Sequence, residues 1–244
     1  MVGEQRRHGG APRTGADDRH AGKRHSSTRI PHAQIVGLPR MIAPAQAVQG
    51  APDDLAVVVP IKSFGSAKAR LADVLGVDAR AALARTCAAR VLSAAAPHRV
   101  FVVCDDEEVA AWAHTHGAGV VAAEHPGLNE AATAGRLAAR AEGFARVLTV
   151  HSDLPHAEPF GALGESLDEP RSMVVVPDRH DEGTNVLIVP THGDFTYRYG
   201  AGSFAAHQAE AARCGLAVRV VRRPDLALDL DTLEDLRAAG LSPA

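Results

Sequence analysis

Cysteine, aromatic residues and long apolar runs are all scarce in this 244-residue sequence. Its three cysteines, Cys87, Cys104 and Cys214, are widely spaced and form no CxxC pair. This pattern argues against a disulfide scaffold and against a structural zinc site, and it favours a reducing compartment. We therefore predict a cytoplasmic protein.

The sequence also lacks the features by which proteins bind a membrane or a nucleic acid. It has no run of about 18 apolar residues, which argues against a membrane-spanning helix, and its N-terminal part lacks the apolar core of a signal peptide. That part is basic, but it contains none of the interleaved aromatic residues that would favour a nucleic-acid-binding arm. We expect neither a membrane nor a nucleic acid as a partner.

Charge is distributed unevenly along the chain. Residues 1–50 hold eight Lys and Arg against three acids, a net charge of +5, whereas the whole chain carries −3, so the remaining 194 residues carry −8. Residues 1–53 are rich in Gly, Arg, His, Ser and Pro and show no period, which predicts a disordered basic extension. Residues 54–244 hold enough apolar residues to bury the core of one domain.

From residue 55, short apolar runs alternate with longer segments of helical spacing. The apolar runs predict strands at 55–61, 99–105, 118–124, 145–153, 172–178, 184–190 and 217–224. Helices are predicted at 79–96, 107–117, 128–143, 203–215 and 232–240. This alternation predicts an α/β domain with a mostly parallel sheet.

Acidic residues lie where several of these strands end, and ligands of such sheets bind beyond those ends. The acids are Asp105, Asp106, Asp153, Asp178, Asp229 and Asp231. The clustering is a first indication of a functional site. The alternative is that each Asp caps the helix that follows it.

A basic loop follows the first strand, in VVVPIKSFGSAKARL. Lys62, Lys68 and Arg70 could grip a polyphosphate, while Gly65 and Ser66 let a ligand approach the backbone closely. The spacing is neither that of a Walker loop nor that of the Rossmann fingerprint. An anionic ligand is the functional interpretation, and a solvated loop is the alternative.

The stretch VLTVHSDLPH allows three interpretations. Ser152 lacks the GxSxG context of a hydrolase nucleophile, so a catalytic triad is disfavoured. Asp153 could cap a helix, with Pro155 in its first turn, or it could bind Mg²⁺ as a hard ligand at the end of a strand.

The segment LDLD places two carboxylates two residues apart, so Asp229 and Asp231 project to the same side of an extended chain. They could meet one cation or bridge two. With Asp153 nearby, the three acids would repel one another unless a divalent cation lay between them. The alternative is that Asp231 caps the helix predicted from Thr232.

A further pair of segments predicts a small anion pocket. Gly183-Thr184-Asn185 opens a strand, and Gly200-Ala201-Gly202-Ser203 precedes a helix. Backbone N–H groups at the start of that helix, with Ser203 as its cap, would favour an anion.

Five motifs taken in order resemble one known family. They are VVVPIKSFGSAKARL, SDLP, DEGTNVL, YGAGSF followed by AH, and LDLDTLEDL. The set is similar to the guanylyltransferases of coenzyme F-420 (deazaflavin) biosynthesis, which act on phosphoenolpyruvate or 2-phospho-L-lactate. The resemblance covers roughly residues 55–240. It implies a nucleotidyltransferase-like, Rossmann-like three-layer sandwich around a mostly parallel sheet. The family often has Gly at the position of His151, so this residue is a departure.

The resemblance also implies a reaction, in which the phosphate of a three-carbon acid attacks the α-phosphorus of GTP and pyrophosphate leaves. The cofactor would be Mg²⁺, as two ions. By motif, the catalytic residues would be Lys62 and Asp153, the metal ligands Asp153, Asp229 and Asp231, the nucleotide-binding residues Lys62, Lys68 and Arg70, and the acid-binding residues Thr184 (main chain), Gly200 and Ser203.

The choice of acid stays open at this level. The Ala- and Arg-rich composition resembles the actinobacterial branch, which implies phosphoenolpyruvate as substrate and enolpyruvoyl-2-diphospho-5'-guanosine as product. Alternatives are 2-phospho-L-lactate, a molybdopterin or sugar-phosphate nucleotidyltransferase (whose usual GGxSxRMG-like loop is absent), and a non-catalytic nucleotide-binding module. A homodimer is kept as a candidate assembly.

Overall fold

A computed structural model describes residues 54–122, 125–164 and 171–242. The predicted extension over residues 1–53 lies outside these ranges and stays a prediction. The strands are β1 Leu55–Pro60, β2 Arg99–Cys104, β3 Gly119–Ala122, β4 Arg146–Val150, β5 Ser172–Pro177, β6 Thr184–Pro190 and β7 Ala217–Val220. The helices are α1 Val77–Ala94, α2 Glu107–Thr115, α3 Leu128–Ala141, α4 Gly161–Gly164, α5 Ser203–Arg213, α6 Pro224–Ala227 and α7 Leu233–Ala238.

The strands form one sheet in the order β3-β2-β1-β4-β6-β5-β7. Neighbours pair in parallel, except that β6 runs antiparallel to both β4 and β5. Six of these seven strands therefore share one direction, which confirms the predicted mostly parallel sheet. Within the described ranges, no helix is long and apolar enough to cross a membrane.

The sheet is covered on both faces. Along β1, Val57 and Val59 belong to one buried cluster with side chains of α1, whereas Ala56 and Val58 belong to a second cluster with side chains of α3 and α5. A strand buried on both faces needs apolar side chains at every position, which explains its continuous apolar run. The three-layer prediction is confirmed.

Most element boundaries fall within a few residues of the predicted ones. The strand predicted at 145–153 ends at Val150, and the one predicted at 217–224 ends at Val220. Pro224 instead lies in the first turn of α6, where its missing N–H costs no helical hydrogen bond. Two 3-10 turns, Phe64–Ser66 and Ala69–Leu71, also escaped prediction, because such short turns have no hydrophobic period.

The strand order changes direction beside β1. Strands β1, β2 and β3 follow one another toward one edge, whereas β4 pairs with the other side of β1. The loops that leave β1 and β4 therefore separate at their carboxyl ends and leave a crevice between them. This is the place where open α/β sheets bind their ligands.

Close packing of α3 against the sheet depends on Gly135. A Cβ added there would lie 2.4 Å from Val58 Cγ1 and 3.1 Å from Val103 Cγ2. We expect Gly135→Ala to lower the free energy of unfolding by about 2 kcal/mol, because overpacking of a core outweighs the gain of about 1 kcal/mol in helix propensity. Urea unfolding measures the change. Gly161→Ala is the matched control, since no atom lies within 4 Å of its added Cβ, and equal stabilities of the two variants would contradict the prediction.

Candidate functional site

A cleft of about 720 Å³ lies at the carboxyl ends of β4, β1 and β2. Five of the predicted site residues line it, namely Lys62, Lys68, Asp153, Asp229 and Asp231. Arg70 lies beside it, with Nη1 3.4 Å from Asp231 Oδ2. The predicted phosphate-binding loop and the predicted carboxylates therefore meet in one place, as the sheet order requires.

The ammonium of Lys68 lies between two of the acids. Its Nζ is 2.7 Å from Asp153 Oδ2 and 3.4 Å from Asp231 Oδ1. The Lys68 side chain is only 6% exposed, whereas the Arg70 side chain is 74% exposed. The Lys68 ammonium is thus largely shielded from solvent, although the Asp153 and Asp231 side chains are 23% and 44% exposed. The Arg70 pair is screened and contributes little.

Burial and charge act in opposite directions on these groups. Burial lowers the pKa of Lys68, but the charges of Asp153 and Asp231 outweigh it, so the pKa is raised above its ordinary value. Burial raises the pKa of Asp153, but the Lys68 charge prevails and the pKa is lowered. Burial, with the charge of Asp153, raises the pKa of Asp229. Lys68 and Asp153 therefore keep each other ionised.

A short loop conformation places Lys68. Its backbone has φ 56° and ψ 40°, the left-handed region, between the two 3-10 turns. Phe64 anchors the preceding turn, because its ring is 1% exposed and packs edge-to-face on Trp112 with centroids 5.2 Å apart. Arg80 Nη1 also donates to the carbonyl of Ala67, at 3.2 Å.

Backbone contacts bring the distant acids together. The Leu230 N–H donates to the carbonyl of Asp153, at 3.1 Å. Asp235 Oδ2 accepts from the Asp231 and Thr232 N–H groups, at 3.0 and 2.7 Å. Thr232, and not Asp231, caps α7, in a capping box with Asp235, so the capping alternative for Asp231 is wrong. Sequence reasoning missed Asp235, although the spacing of TLED is that of a capping box.

Asp153 caps no helix either, since α4 begins only at Gly161. Its Oδ1 is buried and has no hydrogen-bond partner in the described ranges. In those ranges, no group of three or more His, Cys, Asp or Glu side chains is placed to hold a metal ion. Carboxylate oxygens suit Mg²⁺, which typically takes one or two carboxylates and completes its shell with water and substrate phosphates. The donor set thus fits Mg²⁺ held jointly with a phosphate, and the metal stays a prediction.

The residues predicted to bind the acid do not line this cleft directly. Thr184 and Ser203 are 1% and 2% exposed, and neither they nor Gly200 line the cleft. The prediction that Ser203 caps α5 is wrong, because Gly202 is the N-cap, in the left-handed region with φ 69°. The binding of an acid by these residues stays a prediction.

His207, the His of the AH motif, for which the sequence predicted no role, ties this region together. Its Nε2 accepts from the N–H of Arg198, at 3.0 Å. A backbone amide can only donate, so the neutral ring carries its proton on Nδ1 and donates it to Thr184 Oγ1, 3.0 Å away. Burial lowers the pKa of His207 to about 4, and the ring is therefore neutral near pH 7.

Tyr199 and His151 lie between the two regions. The Tyr199 ring is 4.8 Å from that of His207 and 5.5 Å from that of His151, which lines the cleft. Asn129 holds the Tyr199 backbone with two hydrogen bonds, of 2.7 and 3.2 Å. Tyr199 Oη and His151 Nε2 are buried without a hydrogen-bond partner in the described ranges, and both lie between the cleft and the predicted acid pocket.

The two acids that follow β2 have different roles. Asp106 caps α2, because its Oδ1 accepts from the Val109 N–H at 3.0 Å. Asp105 is exposed, lines the cleft, and makes no hydrogen bond or ion pair with a described residue. The capping interpretation holds for Asp106 and leaves Asp105 available to a ligand.

The His207 pKa predicts a pH dependence of stability. The unfolded chain binds a proton at His207 near pH 6.5, whereas the folded chain does so only near pH 4. The stability contribution is therefore complete above pH 6.5, and about 3 kcal/mol is lost as the pH falls to 4. Urea unfolding across this range should be less pH-dependent in His207→Gln than in the wild type. The exposed His114→Gln should keep the wild-type slope, and a slope unchanged in His207→Gln would refute the assignment.

Comparisons with known proteins agree with this geometry. The guanylyl transferase CofC-like family matches residues 55–240. A phosphoenolpyruvate guanylyltransferase of Rubrobacter xylanophilus is 40% identical over 73% of this chain and 90% of its own length, and one of Sphaerobacter thermophilus is 39% identical over 76% and 93%. A Desulfovibrio desulfuricans structure assigned as a nucleotide-diphospho-sugar transferase shares the fold, with a TM-score of 0.61 at 20% identity over 75% of this chain and 85% of that one. The chain belongs to the guanylyl transferase CofC-like family.

Proposed function

We propose that the protein transfers GMP from GTP to the phosphate of phosphoenolpyruvate, giving enolpyruvoyl-2-diphospho-5'-guanosine and pyrophosphate for coenzyme F-420 biosynthesis. The observation that carries the proposal is the cleft between β1 and β4, where a basic loop faces three carboxylates. The relatives that bear this activity in their names match over nearly their whole length.

The charges of the cleft suit this reaction. A phosphate oxygen of the acid forms a bond to the α-phosphorus of GTP, the bond from that phosphorus to the bridging oxygen breaks, and pyrophosphate leaves with the electron pair. The attacking phosphate is already ionised near pH 7, so no general base is needed. Attacker and triphosphate repel each other, and the cations at Lys62, Lys68 and Arg70 would offset that repulsion.

The carboxylates give the metal proposal. Asp153, Asp229 and Asp231 would hold Mg²⁺, in two ions, together with phosphate oxygens of the substrates. When bound, the metal would neutralise phosphate charge and act as a Lewis acid. The described residues themselves position the nucleotide: the Lys62 side chain is exposed in the cleft, and Asp235 fixes the loop that carries Asp231.

We place the acid beside Thr184, Gly200 and Ser203. His207 already donates to Thr184 Oγ1, so the hydroxyl uses a lone pair there and keeps its own proton for another acceptor. The Arg198 N–H bond to the same imidazole fixes the loop that leads to Gly200. A carboxylate is an acceptor of the required kind.

The partners of this proposal are GTP and a phosphorylated three-carbon acid. A cytoplasmic location and a homodimer remain part of the proposal, as does the lack of a nucleic-acid or membrane partner. The three cysteines are free thiols, which is compatible with a reducing compartment.

The base of the nucleotide would reach Asp105. Strands β2 and β4 flank β1, so their ends lie about 10 Å apart, a span that a ribose and a base can cover from a phosphate near Asp153. Guanine presents its N1–H and N2–H groups side by side, and one carboxylate can accept both. Adenine presents an acceptor at N1 instead. The unpaired Asp105 carboxylate therefore favours guanine.

Removing one of these donors tests the base contact. Inosine triphosphate lacks the 2-amino group, so the wild type should favour GTP over it by about tenfold or more in kcat/KM, the usual effect of one hydrogen bond to a charged group. In Asp105→Asn this preference should largely disappear. Steady-state pyrophosphate release measures both ratios.

The neighbouring Glu107→Gln is the matched control, because Glu107 is exposed but does not line the cleft. It should keep the wild-type preference. A GTP preference that survives in Asp105→Asn would move guanine recognition elsewhere in the cleft.

The reaction itself is tested by offering the acids separately. Pyrophosphate release from GTP should be fastest with phosphoenolpyruvate and slower with 2-phospho-L-lactate or 3-phosphoglycerate. Asp153→Asn should abolish release while keeping the wild-type far-UV circular dichroism. Full turnover in that variant would contradict the role of Asp153, and no release with any of the acids would contradict the proposed function.

A further inference from the structure

Lys68 occupies the position that a bound cation would take. Its ammonium contacts both Asp153 and Asp231, and its side chain is nearly inaccessible to water. Asp229 lines the same cleft. The carboxylates thus already have a positive partner in the protein without metal.

Pairing with Lys68 and binding of a divalent metal are competing roles for these carboxylates. Asp153 Oδ2 accepts the Lys68 hydrogen bond at 2.7 Å, so while Lys68 is in place only Oδ1 of this carboxylate is unpartnered. An ammonium and a divalent cation between the same carboxylates would also repel each other strongly in a partly buried site. Lys68 therefore has to leave before these acids can hold a metal.

The Lys68 backbone is also held in an unfavourable conformation. A left-handed conformation is unfavourable in a residue with a Cβ, and Lys68 adopts it with φ 56°. The part-buried ion pairs with Asp153 and Asp231 offset that strain in the metal-free protein. If the ammonium gains a phosphate partner instead, the turn around residues 66–70 is free to relax.

We propose that Lys68 is the internal cation of the carboxylate site, and that a divalent metal binds these acids only together with the nucleotide. The incoming triphosphate takes over the Lys68 ammonium, and the released acids then accept the metal. The inference rests on the proposed function, because it assigns the anion to a nucleotide. Metal and nucleotide then bind cooperatively, each raising the affinity for the other.

The test measures metal binding and needs no turnover. Mn²⁺ replaces Mg²⁺ as the probe, and free Mn²⁺ is followed by electron paramagnetic resonance with nucleotide-free protein. The wild type should bind Mn²⁺ weakly. Lys68→Met should bind it about tenfold or more tightly, since the loss of a charged hydrogen bond frees its acceptor.

Lys62→Met is the matched control, because it removes the same charge from the same cleft but from a side chain with no ion pair to a described residue. It should leave Mn²⁺ affinity within about twofold of the wild type, as expected for an exposed and screened charge. Equal affinities of the wild type and Lys68→Met, or an equal gain in Lys62→Met, would overturn the proposal.

A second measurement covers the case in which Lys68→Met fails to fold. Thermal unfolding of the wild type should be nearly unaffected by Mn²⁺ alone, but Mn²⁺ with a non-hydrolysable GTP analogue should raise Tm clearly beyond the analogue with EDTA. A large shift with Mn²⁺ alone would overturn the proposal. Both readouts stay interpretable if no acid supports pyrophosphate release, an outcome that would contradict the proposed function and not the Lys68 assignment.

Discussion

Repulsion among carboxylates is the constraint on which the rest of the cleft depends. The sheet order places the end of β4 beside the loop after β1, and the Leu230 hydrogen bond to the Asp153 carbonyl adds two further acids from near the C-terminus. Three acids this close need compensation when they are partly buried. Lys68 supplies it from 85 residues away, at the cost of a left-handed backbone.

Fixed backbone segments lie on either side of side-chain atoms that have no hydrogen-bond partner. The backbone that carries the acids is fixed by Asp235 and by the Leu230 bond, and a neutral His207 fixes the Thr184 side. Between them lie Tyr199 Oη, His151 Nε2 and Asp153 Oδ1, buried without partners in the described ranges. Each such atom costs about 1–3 kcal/mol, a cost that a polar ligand would remove.

The sequence predicted the sheet better than it predicted the details of the site. Strands such as β1, buried on both faces, leave a continuous apolar run that is easy to recognise. The meeting of the β1 loop with Asp153 followed from the rule for carboxyl ends of parallel strands. In contrast, the caps depended on local geometry: Gly202 caps α5 where Ser203 was expected, and Thr232 caps α7, a role for which Asp231 was only the alternative. Nothing in the sequence near Lys68 identifies partners 85 and 163 positions away.

The division of labour between Asp105 and Asp106 has a consequence for how such an enzyme could change over evolutionary time. Asp106 holds the start of α2, so its replacement would cost stability of about 1 kcal/mol. Asp105 makes no hydrogen bond or ion pair with a described residue, so a substitution there changes only the group that the cleft presents to a ligand. If Asp105 contacts the base as proposed, a lineage could exchange one nucleobase for another by a single substitution at this position, without first acquiring a compensating mutation.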